Sequence, residues 1–97
     1  MMQVWSLYLL RCKDGSVYTG ITTDVERRLR QHDSGDRGAK YLRGKGPVKL
    51  LYQREIGDRS LASRLEYQVK RFSRTDKEDL VKLSGEIEDI LSKLQVF

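Results

Sequence analysis

The chain has one cysteine, Cys12, one histidine, His32, one proline, Pro47, and no asparagine. A lone thiol excludes an internal disulfide framework, and one Cys with one His excludes a zinc cage built from those residues. No run approaches the roughly 18 consecutive apolar residues that a membrane helix needs. The start, Met1-Met2-Gln3-Val4-Trp5, lacks a basic segment, and the apolar run that follows breaks at Arg11. No signal peptide is expected, and the composition reads as a soluble, reduced, cytoplasmic domain.

What is present fits one small domain. At 97 residues a single core is possible but thin. The net charge of +5 is unevenly spread. Residues 27–54 carry nine basic groups against two acidic ones, whereas residues 76–97 carry six acidic groups against three basic. A basic centre with an acidic tail points to a polyanion partner, phosphate backbones being the commonest. The bland alternative is a solvated basic surface.

Residues 4–11 and 16–21 are short, apolar and aromatic, as strands are, and Lys13-Asp14-Gly15 between them signals a hairpin. A two-residue turn would put Tyr8 and Tyr18 on opposite faces. A three-residue loop ending in a left-handed Gly15 would pair Tyr8 with Gly20 and Leu10 with Tyr18, leaving both phenols on one face. The second register is expected. Thr23-Asp24-Val25-Glu26 fits a capping box ahead of a helix over about 24–33, with Val25 and Leu29 inward. Residues 34–47 are polar and glycine-rich and predict a loop, with a helical turn around residues 39–42. Residues 48–55 predict a third strand. Asp58 suits the cap of a helix over about 59–72, with Ala62, Leu65, Val69 and Phe72 as its buried stripe. Thr75-Asp76-Lys77-Glu78 suits another capping box, with Gly85 as the stop, and Ile87, Ile90, Leu91 and Leu94 mark a last helix. The expected fold is an α+β single domain over 1–97: a short three-stranded antiparallel sheet flanked by helices, in the order β-β-α-β-α-α-α. Its core spans about 4–80 and an acidic helical tail follows over about 81–97.

Few residues offer chemistry. Gly38 to Lys45 narrowly misses a phosphate loop: its spacer is one residue too long, and Gly46 stands where Ser or Thr is needed. Cys12 has no evident base partner and reads as structural. Three features remain. Tyr8 and Tyr18 would flank Gly20, whose missing side chain leaves room beside two phenols, although tyrosine is also simply a good strand residue. Arg28 and His32 lie four apart on one helix face, either as an exposed basic face or as a phosphate clamp. Glu66 has Lys70 four residues on, either as a surface ion pair worth about 0.3–0.5 kcal/mol or as a carboxylate for one hard cation.

Ser6-Leu7-Tyr8, then Tyr18-Thr19-Gly20 after a hairpin, then Arg28 on the next helix and Glu66 on a later one resembles the GIY-YIG nuclease domain. The likeness covers about residues 4–80, and the run Tyr-Thr-Gly-Ile-Thr-Thr-Asp-Val-Glu-Arg-Arg at 18–28 resembles small single-domain bacterial members. The resemblance implies a three-stranded antiparallel sheet with helices and metal-dependent cleavage of phosphodiester bonds, usually in DNA; a nuclease of DNA repair or strand processing is the leading expectation. It implies that Tyr18 activates the attacking water and Tyr8 orients the site. Arg28 would stabilise the phosphoryl transition state, His32 would lie near the phosphate, and Glu66 would hold one Mg2+ or Mn2+ ion. Arg27, Arg28, Lys40, Arg43, Lys45 and Lys70 are the expected nucleic-acid contacts. The chain departs from the pattern at Ser6-Leu7, where Gly-Ile is usual, at Thr19, where Ile is usual, at Ile21, where some relatives carry Lys, and in lacking the late Asn. A non-catalytic nucleic-acid-binding module on the same fold is the rival reading.

Overall fold

The computed structural model describes residues 3–34 and 48–95, without the side chains of 33 and 34. Strand β1 is Trp5–Arg11, β2 is Val17–Thr22, helix α1 is Val25–Ser34, and β3 is Lys49–Gly57. Helices α2, Arg59–Lys70, α3, Arg74–Glu78, and α4, Leu80–Leu94, complete the chain. The strands form one antiparallel sheet in the order β2-β1-β3. The expected element order is observed. The helical turn expected at 39–42 lies outside the described residues.

The hairpin follows the three-residue register. Tyr8 pairs with Gly20 and Leu10 with Tyr18. Gly15 closes the loop at φ +86°, a conformation that its missing Cβ permits, and its N–H donates to the Cys12 carbonyl at 2.9 Å. Because β1 is central, both of its faces are covered, so Leu7, Tyr8, Leu9 and Leu10 are all buried. Leu7 and Leu9 face one core with Leu65, Val69, Leu83, Ile87 and Leu91 from α2 and α4. Tyr8, Leu10 and Cys12 face the other, with Val25 and Leu29 of α1 and Val48 and Leu50 packed against them. The sheet is thus the middle of three layers. β3 runs two residues past its expected end and pairs with β1 through irregularities at Trp5/Ser6 and Leu9/Leu10.

The helix starts differ from expectation. Asp24, not Thr23, caps α1: its carboxylate accepts from the Arg27 N–H at 3.0 Å, and Thr22 Oγ1 accepts from the Asp24 N–H at 3.2 Å. Asp58 caps α2 as expected, accepting from the Leu61 N–H at 2.8 Å. Ser73, two residues before the expected Thr75, caps α3. The helix break falls at Asp79, which caps α4, and Gly85 does not stop that helix. A Gly inside a helix lowers stability but keeps its N–H and C=O for the ladder, so it weakens a helix without ending it.

Candidate active site

The alternation of β1 and β2 turns Tyr8 and Tyr18 to the α1 face. Their ring centroids lie 6.1 Å apart. In its last turn, α1 brings His32 against both: 6.2 Å from Tyr8 and 5.7 Å, edge-on, from Tyr18. The Tyr8 hydroxyl lies 3.2 Å from His32 Nε2, and the imidazole is buried. A Cβ at Gly20 would come within 2.6 Å of Tyr8 Oη, 2.7 Å of Tyr8 Cζ and 3.0 Å of Tyr18 Cε1. The absence of a side chain there therefore lets the two rings sit side by side. Gly20 leaves no free slot, because the Tyr8 ring itself fills the space that the sequence suggested was open.

Burial pushes the Tyr8 phenol up to about 12 from its ordinary 10, the neighbouring Tyr18 adds to the rise, and Arg28 opposes it through a hydrogen bond and its charge. Arg28 thus reaches the Tyr8 phenol from α1, while its Nη1 donates to Gln31 Oε1 at 3.0 Å. Sequence reasoning missed Gln31; its signal was the i,i+3 spacing from Arg28. Beside this group Thr22, Thr23, Asp24, Arg27, Arg28 and Gln31 line a polar groove of about 200 Å³.

Tyr8, Tyr18, Arg28 and His32 are therefore brought together. Glu66 is in another layer. It lies on α2, which packs on β1 and β2 from the opposite face, and its carboxylate pairs with Lys70 Nζ at 3.5 Å. Arg59, at the start of α2, stacks on Trp5 at 5.3 Å, and Arg74 beyond its end lies against the Gly15 loop, so α2 runs alongside β1 in the same direction. Among the expected nucleic-acid contacts, Arg27 is exposed at the polar groove and Lys70 is exposed on α2. Lys40, Arg43 and Lys45 lie outside the described residues.

Of the departures from the family pattern, Thr19 has a structural consequence. It pairs with Leu9 and faces α2, and its buried Oγ1 has no hydrogen-bond partner among the described residues.

The family model described as the GIY-YIG catalytic domain matches residues 4–79. The UPF0213 protein YhbQ of Escherichia coli O139:H28 is 54% identical over 94 residues, covering 97% of this chain and 93% of that protein. The protein of the same name from Salmonella arizonae is 52% identical with the same coverage. The solution structure of the UPF0213 protein BH0048 from Bacillus halodurans is 47% identical, with a TM-score of 0.51 over 97% of this chain and 99% of that one. That of EF2693 from E. faecalis is 39% identical, with a TM-score of 0.57 over 84% and 86%. No helix among the described residues is long and apolar enough to cross a membrane. A family match over four-fifths of the length, with both tyrosines, the intervening glycine and the helical arginine meeting on one face of the sheet, leaves one assignment: the chain belongs to the GIY-YIG catalytic domain family.

Proposed function

We propose that this chain is a nuclease that hydrolyses phosphodiester bonds in DNA with one divalent cation, in repair or processing of strands. The observation that carries the reading is the contact of two tyrosines, a histidine and an arginine around Gly20. Tyr8, pushed up to about 12, keeps its proton at neutral pH. Its hydroxyl lies within hydrogen-bond reach of His32 Nε2, which suits Tyr8 as the phenol that orients the site. Tyr18, acting as its phenolate, would then take the proton of the attacking water and become a neutral phenol. Arg28 offers a guanidinium to the charge that builds on the phosphoryl oxygens.

The residues present suit a cation of the magnesium kind. The Glu66 side chain is only 21% exposed, against 54% for Lys70, and it already balances one positive charge. Among the described residues no three His, Cys, Asp or Glu converge to form a closed cage. One carboxylate is the donor set of a hard ion that keeps water and phosphate oxygens for its other positions. Glu66 would hold Mg2+ or Mn2+, which when bound would supply charge to the phosphate and its leaving oxygen.

The test is cleavage of plasmid and single-stranded DNA with Mg2+ or Mn2+. Tyr18→Phe and Glu66→Ala should each lower the rate by about 100-fold or more, the usual weight of a positioned acid–base group, with unchanged circular dichroism. Wild-type cutting by both variants would overturn the assignment. Salt-sensitive binding with no metal-dependent cutting by wild type would leave a binding module on the same fold.

A further inference from the structure

The outer face of α2 carries an aromatic that the nuclease chemistry does not use. Tyr67 is 64% exposed, on a helix whose aliphatic residues Ala62, Leu65 and Val69 are buried. It adjoins a groove of about 270 Å³ between α2 and the end of α4, lined by Ser63, Arg64, Tyr67, Gln68 and Leu94. Arg64 and Arg71 lie three residues before and four after Tyr67, so both project beside it. Neither makes an ion pair among the described residues, whereas Arg11, Arg30, Arg54, Lys70, Lys82 and Lys93 each have a carboxylate. The groove falls below the roughly 300–1,000 Å³ of drug-sized ligand pockets. It suits one planar group against the ring, with anions at the two guanidiniums. That chemistry is a nucleobase joined to its phosphates.

We infer that Tyr67 is a stacking platform for an unpaired base, with Arg64 and Arg71 holding the flanking phosphates of a single strand. The inference rests on the nuclease reading for its partner class and deepens it by selecting unpaired over duplex substrate. Tyr67 follows Glu66 directly and lies about 100° around the helix from it. A strand passing Glu66 therefore meets the ring within one turn. A base inside a duplex has both faces covered by its neighbours and cannot use the platform, so only single strands gain from it.

The test is metal-free binding, in a chelator, of labelled oligothymidylate and of a labelled duplex. Tyr67→Ala should weaken oligothymidylate binding by roughly 5- to 150-fold, the range for loss of one base stack, and leave duplex binding unchanged. Tyr67→Phe should bind like wild type, because stacking uses the ring face. Arg64→Ala should lower the salt slope by about one. Oligothymidylate binding by Tyr67→Ala equal to wild type, or an equal loss for duplex, would overturn the platform and leave the nuclease reading standing. Wild type that binds neither probe would overturn both. A wild-type dimer in sedimentation that Tyr67→Ala turns into a monomer would show that the face meets a second copy, and would also overturn the platform.

Discussion

Replacing Gly20 by alanine tests the centre of the site by one methyl group. The new Cβ would stand 2.6 Å from Tyr8 Oη and 2.7 Å from Tyr8 Cζ, both well inside contact distance. Tyr8 is 1% exposed and held by β1, α1 and Tyr18, so the ring has little room to retreat. Two outcomes compete. The core strains to keep the ring, at about 1–3 kcal/mol for overpacking. Alternatively the ring swings away and leaves His32 without its phenol, at about 1–3 kcal/mol for an unsatisfied buried polar group. Either route gives a loss near 2 kcal/mol, or about 10 °C in melting temperature at this chain length. Gly85→Ala is the matched control. A Cβ there meets nothing within 4 Å, and the residue sits inside α4. That change should raise stability by about 0.5–1 kcal/mol. The assay is urea unfolding of both variants, with DNA cleavage measured alongside. Equal stabilities for Gly20→Ala and wild type, with cutting intact, would refute the packing of Tyr8 on Gly20.

Other perturbations address separate parts of the structure. Tyr8 titrates higher folded than unfolded, so the folded state holds its proton longer; stability should be level below pH 10 and fall as pH rises from 10 to about 12. Alkaline unfolding followed by circular dichroism checks this, and Tyr8→Phe should flatten that part of the profile. Thr19→Val removes a buried hydroxyl that lacks a partner and should raise stability by about 1 kcal/mol in urea unfolding. Arg54→Ala breaks a two-pronged ion pair from β3 to Glu88 on α4, but the pair is half-exposed, so the loss should stay near 1 kcal/mol and shrink with added salt.

The fold was legible wherever local rules left few solutions; at the hairpin two registers competed. Gly15 offers the left-handed residue that a three-residue hairpin loop needs, and the resulting alternation puts Tyr8 and Tyr18 on one face. Asp58 and the Ala62, Leu65, Val69 stripe define α2 in the same way. Legibility failed where neighbouring residues were chemically equivalent. Thr23 and Asp24 both cap well, as do Ser73 and Thr75, and sequence spacing does not choose between adjacent candidates. Gly85 misled because its rule describes helix ends, whereas packing of Leu83, Ile87 and Leu91 carries α4 through it. At the site, the hairpin register put Tyr8 and Tyr18 on one face and the i,i+4 spacing put Arg28 and His32 on one side of α1, while the family resemblance joined the two pairs. The layer of Glu66 was not legible, because its face depends on which side of the sheet α2 crosses.

That separation bears on how the site would work. Two buried layers meet only at a sheet edge, and β2 is the edge strand on the side where α2 packs. A phosphate too large to enter the sheet could still touch both layers by lying across β2. The phenols and Arg28 would then reach it from one side and Glu66 from the other. A carboxylate placed inside the Tyr8 layer would raise the phenols further and draw Arg28 away from the phosphate. On the proposed reading, holding Glu66 on the α2 side of the sheet would keep its negative charge apart from the phenols until a phosphate bridged the two faces.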